Sequence, residues 1–319
     1  MQLSILTTLY RSERYVTEFY KRVSSAAAQA TDDYELIFVN DGSPDRSLEM
    51  VVELARSDPR VVVVNLSRNF GHHKAIRAGL RFATGARVFL VDSDLEEPPE
   101  LLLDFAKEMD RTGADVVYGV QEARSGSLFR RLSGGAAYRV YNLLASARIP
   151  TNMLAVRLMS GRFVRAFLSF PERAFALSGI WSLTGFSQQP VVVARVDKGQ
   201  SSYSLTRRLK MFVDMITAFS AAPLLFGFFM GSLVLAFCGA AIASVVIAWL
   251  CCLVYPSGWA SAMISVWFLG GLTVFALGII GKYAATIFLE VKKRPLTIIR
   301  ACYGFPSEAS SRKAHSAER

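Results

Sequence analysis

Short apolar or β-branched runs alternate with amphipathic stretches along the first 120 residues of the chain. Strands are predicted at the apolar runs, which are Leu3–Leu9, Glu35–Asn40, Val61–Leu66, Val88–Asp92 and Asp115–Tyr118. Helices are predicted at the amphipathic stretches between them, which are Arg14–Ala30, Ser47–Ser57, Lys74–Ala83 and Pro99–Arg111. Strands that alternate with helices indicate βαβ units, and therefore an α/β fold with a mostly parallel sheet.

The polar segments after the predicted strands are the first place to look for a ligand, because such sheets bind ligands beyond the carboxyl ends of their strands. Four of these segments should form one continuous rim: Tyr10–Glu13, Asp41–Ser43, Ser67–Gly71 and Asp92–Glu97. Residues 121–204 are less regular and mix basic with aromatic residues. We expect elements that bind an acceptor substrate there.

A run of 67 residues without a charge lies between Asp214 and Lys282. Because one membrane-spanning helix needs about 20 apolar residues, the run predicts two spans, at Leu225–Val254 and Trp259–Ile280. The turn Tyr255–Trp259 joins them, since it combines turn formers with aromatic residues typical of the headgroup level. A buried helical hairpin of a soluble protein is the alternative.

This pattern divides the chain into an α/β domain at 1–204, a juxtamembrane helix at 205–222, two transmembrane helices at 223–281 and a basic segment and tail at 282–319. Leu205–Phe219 combines apolar and basic positions in the way typical of a helix in the membrane interface. Basic residues flank both ends of the uncharged run and none lies in its turn, which predicts that both ends face the cytoplasm. The chain opens on a predicted strand, so no secretory signal is expected.

The formal net charge is +10, from 36 basic and 26 acidic residues. Contact with anionic lipid and with phosphate-bearing substrates accounts for this excess. No nucleic-acid-binding motif accompanies it, so no nucleic-acid partner is expected. The four cysteines have neither the spacing of a metal site nor that of a disulfide framework.

The segment Val91–Glu100 carries the strongest chemical signal. An apolar strand ends there on Asp92 and Asp94, with Ser93 between them. Two carboxylates at a strand end can hold a hard divalent cation, which in turn can clamp a diphosphate. The alternative for an isolated Asp-x-Asp pattern is a solvated turn with a helix cap.

Two other polar loops follow predicted strands. In the first, Asp41 could accept hydrogen bonds from a base or a ribose; an ordinary turn, with Asp45 capping the next helix, is the alternative. The second, Ser67–Gly71, precedes the adjacent histidines His72 and His73. Adjacent histidines suggest a metal, but their side chains diverge on a helix. A solvated helix start is therefore the favoured interpretation of the two histidines.

Together with the predicted hairpin, these segments resemble the family-2 glycosyltransferases of GT-A fold. The resemblance is to the polyprenyl-phosphate group, which includes dolichyl-phosphate mannose synthase and bacterial undecaprenyl-phosphate glucosyltransferases. It extends from Leu3 to about Phe305. The matching segments include Asp41-Gly42-Ser43, Ser67-Arg68-Asn69-Phe70-Gly71, Asp92-Ser93-Asp94-Leu95, Pro98-Pro99-Glu100, Gly179-Ile180-Trp181, Phe219-Ser220 and Leu289-Glu290-Val291-Lys292.

The resemblance implies transfer of a sugar from a nucleoside-diphosphate sugar to a polyprenyl phosphate, with inversion at the anomeric carbon. It implies that Asp94 is the catalytic residue and that Asp94 and Asp92 are the ligands of Mg²⁺ or Mn²⁺. The residues that it assigns to the nucleotide sugar are Thr8, Tyr10, Glu13, Asp41, Ser43, Asp92 and Ser93. Those that it assigns to the acceptor phosphate are Arg124, Arg131, Ser133, Lys198, Ser201 and Tyr203. A uridine donor is expected over a guanosine donor, in a bacterial inner membrane.

The sequence departs from the family pattern at residues 155–158, which read Ala-Val-Arg-Leu where the family has Asp-Phe-Arg-Leu. Ala155 therefore replaces a carboxylate. The loop Tyr10–Glu13 and Lys282 also differ from the family pattern. Because an acceptor phosphate is already anionic near neutral pH, it needs positioning more than a general base, and we expect transfer without the carboxylate.

Two alternatives remain open from the sequence. One is another membrane family-2 transferase, such as a processive synthase, although the chain contains no Gln-x-x-Arg-Trp motif. The other is a catalytically silent scaffold that binds a nucleotide sugar, which Ala155 favours. A homo-oligomer is a further hypothesis, because Gly227 and Gly231 allow close packing of helices.

Overall fold

The structure of the protein is a computed structural model that describes residues 1–121, 152–172, 177–193, 220, 222–250 and 258–304. The chain divides into two units. The first contains residues 1–138, 147–203 and 294–319, and the second contains 139–146 and 204–293. In the described residues, the first unit holds one eight-stranded sheet and the second holds two long helices.

The strands of the sheet are β1 (Leu3–Leu9), β2 (Tyr34–Asn40), β3 (Val61–Leu66), β4 (Arg87–Leu90), β5 (Val116–Val120), β6 (Met153–Ser160), β7 (Gln188–Val192) and β8 (Ile299–Tyr303). Their order across the sheet is β7-β5-β6-β4-β1-β2-β3-β8. The central strands β4, β1, β2 and β3 are parallel, as are β5 and β7. Strand β6 is antiparallel to both of its neighbours, and β8 is antiparallel to β3. The sheet is therefore mixed and mostly parallel.

Helices cover both faces of this sheet. They are α1 (Glu13–Ala30), α2 (Ser47–Ser57), α3 (His72–Leu80), α4 (Leu101–Thr112), α5 (Gly161–Ser169) and α6 (Leu177–Leu183). One apolar core joins Phe19 of α1 and Phe105 of α4 to Phe38 and Phe89 of the sheet. On the other face, α3 approaches so closely that a Cβ on Gly79 would lie 2.4 Å from a methyl carbon of Leu6.

The sequence-based assignment is confirmed for the α/β class and for most elements of the first 120 residues. Strands β1 and β3 and helix α2 have the predicted bounds. The predicted strand Val88–Asp92 ends instead at Leu90, because Asp92 already belongs to the loop. The elements without a sequence-based assignment are β6, β7, β8, α5 and α6.

The second unit contains α7 (Ala222–Leu250) and α8 (Trp259–Val291). Among the described residues, one segment, Ser265–Val291, is long and apolar enough to cross a membrane, and Pro223–Val234 is a shorter apolar stretch. The predicted second span extends beyond Ile280 as a continuous helix. Residues 251–257, which include most of the predicted turn, lie outside the described residues, so the two-span hairpin stays a prediction.

The two long helices contact each other within the second unit. The hydroxyl of Tyr283 donates a hydrogen bond to the carbonyl oxygen of Ser220 at 2.5 Å. A Cβ on Gly227 would lie 3.9 Å from the terminal methyl of Ile279, which is ordinary van der Waals contact. Large apolar side chains on both helices are exposed, among them Phe237 and Trp267.

Candidate active site at the carboxyl ends of the strands

The central parallel strands end at the same edge of the sheet. Leu9 of β1 is paired with Asn40 of β2, and Asn40 is paired in turn with Asn65 of β3. The amide of Val91, which follows β4, donates to the carbonyl of Leu6 at 3.1 Å. The polar segments after these strands therefore lie side by side, as the predicted rim requires.

Asp41 is a buried carboxylate that fixes the loop after β3. Its side chain is 2% exposed, and its two oxygens accept the backbone N–H groups of Phe70 at 2.7 Å and Gly71 at 3.0 Å. Burial raises its pKa, and these two hydrogen bonds oppose that rise. A contact of Asp41 with a nucleoside stays a prediction; what the geometry establishes is its hold on this loop.

The loops after β2 and β3 pack backbone to backbone. Gly42 has φ of +61°, and a Cβ there would lie 2.5 Å from the backbone nitrogen of Asn69. Both the left-handed conformation and the close approach require glycine. Asp41 and Gly42 together therefore set the position of the segment that begins α3.

A network of hydroxyls and carboxylates joins the loops after β1 and β2. The carboxylate of Asp45 accepts the hydroxyls of Ser43 at 2.5 Å and Ser47 at 2.6 Å, and the backbone N–H of Glu13 at 3.0 Å. Burial alone would raise the pKa of Asp45, but these hydrogen bonds outweigh it and lower the pKa to about 2. Ser43 also accepts the backbone N–H of Arg11 at 2.7 Å. Asp45 also accepts the N–H of Ser47, the first residue of α2, although the N-cap position of that helix is Arg46.

The Asp92–Asp94 segment is held to the loop after β1 through its central serine. Ser93 is buried, and its hydroxyl donates to the carbonyl of Thr8 at 3.0 Å and lies 3.0 Å from the hydroxyl oxygen of Ser12. Asp94 accepts the backbone N–H of Glu96 at 3.0 Å. Both aspartates are partly exposed, which leaves their carboxylates accessible at the rim.

His72 is the rim residue that sequence reasoning missed. Its Nδ1 lies 3.0 Å from the hydroxyl oxygen of Thr8, and its Nε2 lies 3.6 Å from Oδ1 of Asp92. From the sequence alone, a solvated helix start is the favoured interpretation of this residue. The signal that could have found it was the position of His72 directly after a rim segment, because the first residue of a helix in a βα unit stands beside the strand ends.

The donor set of the rim suits a hard divalent cation. Asp92 and Asp94 supply carboxylate oxygens, which Mg²⁺ and Mn²⁺ prefer, and Mg²⁺ sites often use one or two carboxylates together with substrate phosphates. In the part of the chain that the structure describes, no cluster of three or more His, Cys, Asp or Glu forms a complete metal cage. The residues therefore fit a cation that is shared with a bound diphosphate, and the roles of both aspartates stay predictions.

Position 155 lies in β6, the antiparallel neighbour of β4. The pairing of these two strands ends with Leu90 opposite Arg157, so Ala155 lies two residues beyond the last pair. Ala155 is partly exposed, whereas Arg157 is fully buried, with its guanidinium stacked on the ring of Trp181. The Nε of Arg157 donates to the carbonyl of Ala155 at 3.1 Å. Arg157 therefore holds the backbone of β6 at the position where the family pattern has a carboxylate.

The other predicted site residues fall into two groups. Tyr10 is exposed at the end of β1, and Glu13 begins α1, where its carboxylate accepts the backbone N–H of Arg46 at 3.3 Å. The residues assigned to the acceptor phosphate lie outside the described residues, and their roles stay predictions: Arg124, Arg131, Ser133, Lys198, Ser201 and Tyr203.

The chain is similar to known proteins over most of its length. The sequence profile described as "Glycosyl transferase family 2" matches residues 4–163. The chain is 44% identical over 316 residues to "Putative glycosyltransferases" of Mycobacterium tuberculosis (strain CDC 1551 / Oshkosh), which covers 99% of this chain and 92% of that protein. It is 30% identical over 308 residues to the "Prophage bactoprenol glucosyl transferase homolog" of Escherichia coli (strain K12), covering 94% and 99% respectively.

A solved structure of glucosyl-3-phosphoglycerate synthase from Mycobacterium tuberculosis, in complex with phosphoglyceric acid, is similar at 19% identity and a TM-score of 0.45, over 68% of this chain and 78% of that one. The profile match and the mostly parallel mixed sheet confirm the predicted GT-A-type α/β fold.

Proposed function

We propose that this chain, which belongs to glycosyl transferase family 2, moves a sugar from a nucleoside-diphosphate sugar to the phosphate of a polyprenyl lipid, with inversion at the anomeric carbon. The observation that carries the proposal is the rim, where Asp92 and Asp94 stand at the end of β4 beside the anchored loops after β1, β2 and β3. A relative of nearly equal length is named as a bactoprenol glucosyl transferase homolog, which supports a polyprenyl phosphate as the acceptor.

Each rim residue has a separate role in holding the donor. Asp94 and Asp92 would hold Mg²⁺ or Mn²⁺, which when bound stabilises the negative charge that grows on the leaving diphosphate. Ser93 and Thr8 fix the loop that carries the two aspartates. Asp41 acts on the donor through the loop after β3, whose backbone it holds. Tyr10 is exposed and offers a ring face for a base.

The acceptor phosphate supplies its own nucleophile, a phosphate oxygen that is anionic near neutral pH. The task of the protein is then to bring this oxygen in line with the anomeric carbon, and charge-assisted hydrogen bonds from Arg124 and Arg131 suit that task. A general base is not required, so Ala155 is compatible with catalysis.

The second unit fits a lipid environment. Ser265–Val291 has the length and composition of a membrane span, and the exposed apolar side chains of α7 and α8 would be costly in water. We propose that the protein lies in a bacterial inner membrane with both chain ends in the cytoplasm. We also propose that its donor is a uridine-diphosphate sugar. Of the two glycines that suggested a homo-oligomer, Gly227 already faces Ile279 of the same chain, so Gly231 is the candidate contact point.

The test is transfer of radiolabelled sugar into lipid-extractable product. The full chain, in detergent or vesicles, is given a short-chain polyprenyl phosphate and a panel of UDP- and GDP-sugars. We expect one UDP-sugar to yield a product carrying a single sugar. Arg124→Ala and Arg131→Ala should each raise the acceptor KM or lower kcat by roughly 10-fold or more, since each removes about 1.4 kcal/mol or more of positioning, and should leave donor binding nearly unchanged. Arg165→Ala, on the exposed face of α5, is the matched control.

Ala155→Asp separates the proposal from a silent scaffold. It should give no gain in rate and should raise the acceptor KM by a few-fold, because the added carboxylate repels the anionic phosphate of the acceptor. If no donor labels the lipid with the wild-type chain and Ala155→Asp switches transfer on, the wild-type protein is a silent relative and the proposal fails. A product that grows into a polymer would instead indicate a processive synthase.

A further inference from the structure

His72 lies between two segments of the rim that are far apart in sequence. It begins α3, yet its ring nitrogens lie 3.0 Å from the hydroxyl oxygen of Thr8 near the end of β1 and 3.6 Å from a carboxylate oxygen of Asp92 after β4. The ring is 42% exposed and Asp92 is 28% exposed, so the contact lies at the open surface where a donor would bind. No motif assigned this residue a role in donor binding.

The two neighbours of the ring can both bond to it. An ionised Asp92 only accepts hydrogen bonds, so Nε2, the ring nitrogen that faces it, must carry a hydrogen to bond with it. On the other side, Nδ1 lies 3.0 Å from the hydroxyl oxygen of Thr8, and a hydroxyl can donate or accept. The Thr8 hydroxyl therefore holds one side of the ring while the other side faces Asp92.

The backbone of His72 is held independently of that contact. Asp41 binds the N–H groups of Phe70 and Gly71, which immediately precede His72. Gly71, at φ of +97°, is the residue from which α3 starts. Because the ring is carried on a fixed turn, it can restrain Asp92 without depending on Asp92 for its own position.

We propose that His72 is a positioning residue, which orients the carboxylate of Asp92 toward the cation-bound diphosphate of the donor. The inference deepens the proposed function and rests on it. At 3.6 Å the Nε2–Asp92 distance is longer than a hydrogen bond, and a shift of less than about 1 Å closes it; catalytic hydrogen bonds commonly tighten only when substrate binds. The alternative is that His72 is an ordinary surface imidazole at a helix start, and then its removal would leave donor binding unchanged.

The first experiment measures donor binding apart from turnover. UDP with Mn²⁺ is titrated calorimetrically into the full chain in detergent, for the wild type, His72→Ala, His72→Gln and the control His73→Ala. Outer partners of metal-binding side chains are typically worth roughly 10–100-fold in affinity or activity. We therefore expect His72→Ala to bind roughly 10-fold more weakly or worse, and His72→Gln, which keeps an N–H donor, to recover most of the loss. His73→Ala should match the wild type.

The second experiment separates a positioning role from a structural one. Initial rates are measured against donor and against lipid acceptor, beside the melting temperature of each variant. His72→Ala should raise the donor KM or lower kcat while leaving the acceptor KM within about twofold and the melting temperature unchanged, because its contact lies on the donor side. Thr8→Val added to His72→Ala should cost little more, since the hydroxyl of Thr8 acts on Asp92 only through the ring of His72.

The outcomes distinguish this inference from the proposed function. A wild-type chain that transfers sugar, with His72→Ala equal to it in donor binding and rate, overturns the positioning role alone. So does a His72→Ala variant that loses melting temperature and the donor and acceptor parameters together, without rescue by glutamine. A wild-type chain that binds neither UDP nor GDP and labels no lipid overturns both.

Discussion

The strand ends form two opposite edges of the central sheet: the carboxyl-end rim and the edge where β4 and β5 begin. Charged side chains lie at both edges, but their partners differ. At the carboxyl-end rim, partly exposed carboxylates stand on loops whose backbones are held by buried neighbours. At the opposite edge, where β4 and β5 begin, Asp115 is bonded to the guanidinium of Arg162, and Arg87 is bonded to Asp110. That edge also borders an open cavity of about 340 Å³, so a cavity alone does not identify the active site.

Asp115 shows what a satisfied carboxylate looks like. It accepts the hydroxyls of Ser160 at 3.0 Å and Ser187 at 3.1 Å in addition to Arg162. Burial alone would raise its pKa, but these partners outweigh burial and lower it. A carboxylate with three such partners ties β5, β6 and the segment before β7 together. We therefore predict that the carboxylates of the carboxyl-end rim take part in catalysis and that Asp115 at the opposite edge stabilises the fold.

Breaking the rim should have the largest effect. Asp94→Asn removes one charged ligand and with it several kcal/mol of charge stabilisation in the transition state, so we expect at least a roughly 100-fold lower kcat. The melting temperature should stay within about 2 °C of wild type, because the amide oxygen of the substituted side chain can still accept the N–H of Glu96. Sugar transfer and thermal unfolding of the full chain measure the two.

The control for this variant is Asp104→Asn, an exposed carboxylate in the first turn of α4. It changes the same formal charge away from the rim and should leave kcat unchanged. Activity of Asp94→Asn above roughly a tenth of wild type, a loss of only about 1.4 kcal/mol, or full activity without a divalent cation, would remove Asp94 from its assigned role.

The rim also contains a structural carboxylate, Asp45, and its test sharpens the comparison. Its pKa is about 2 in the folded protein against an ordinary value of 3.8, so the ionised form favours the folded state. That contribution is complete above about pH 4 and is lost as the pH falls toward about 2. It amounts to at most about 2 kcal/mol, because solvent screens the charge of a partly exposed group.

Asp45→Asn should therefore lower the melting temperature at neutral pH and flatten its dependence on pH between about 4 and 2. Tryptophan fluorescence of the full chain, followed on heating at a series of pH values, gives both quantities. An unchanged acid dependence in the variant would show that Asp45 does not carry this contribution.

The smallest effect is expected at the opposite edge. Asp115→Asn keeps one acceptor oxygen but loses the charge facing the exposed Arg162, which should cost about 1 kcal/mol and a few degrees of melting temperature. Its kcat and donor KM should equal those of the wild type when measured well below the melting temperature. A selective loss of activity without a loss of stability would mean that this edge takes part in the reaction.

The part of the fold that could be predicted from the sequence is the part in which consecutive strands and helices form βαβ units. The alternation from Leu3 to Arg111 is local, because each βαβ unit joins strands that follow one another along the chain. Strand β6 could not be assigned in this way, since it enters between β4 and β5 in the antiparallel sense. The buried face of β6 is also unusual, because it carries Arg157 at a position where an apolar residue would be expected.

The residues of the candidate site were likewise predictable only where the signal is local in the sequence. The Asp92–Asp94 pair and the Asp41 loop could be found because each follows an apolar strand directly. The sequence marked His72 only as the residue after the Ser67–Gly71 segment. The role proposed for it depends on tertiary contacts with Thr8, 64 residues away, and with Asp92. The sequence pattern also placed Asp41 as a ligand-binding group, while its two hydrogen bonds to the loop depend on tertiary packing.

Strand β8 has a practical consequence for anyone who shortens the chain. It comes after the long apolar helix in sequence, yet Tyr303 and Cys302 pair with Val63 and Val64 of β3, and Ile298 accepts the N–H of Ser67 at 2.9 Å. A water-soluble fragment cut before the helices would leave β3, with its four consecutive valines, as a bare edge, which invites strand-to-strand aggregation. The fragment would also lose the bond that anchors the start of the Ser67–Gly71 loop. A soluble version of the enzyme therefore needs residues 294–304 rejoined through a linker, so that the sheet keeps its last strand.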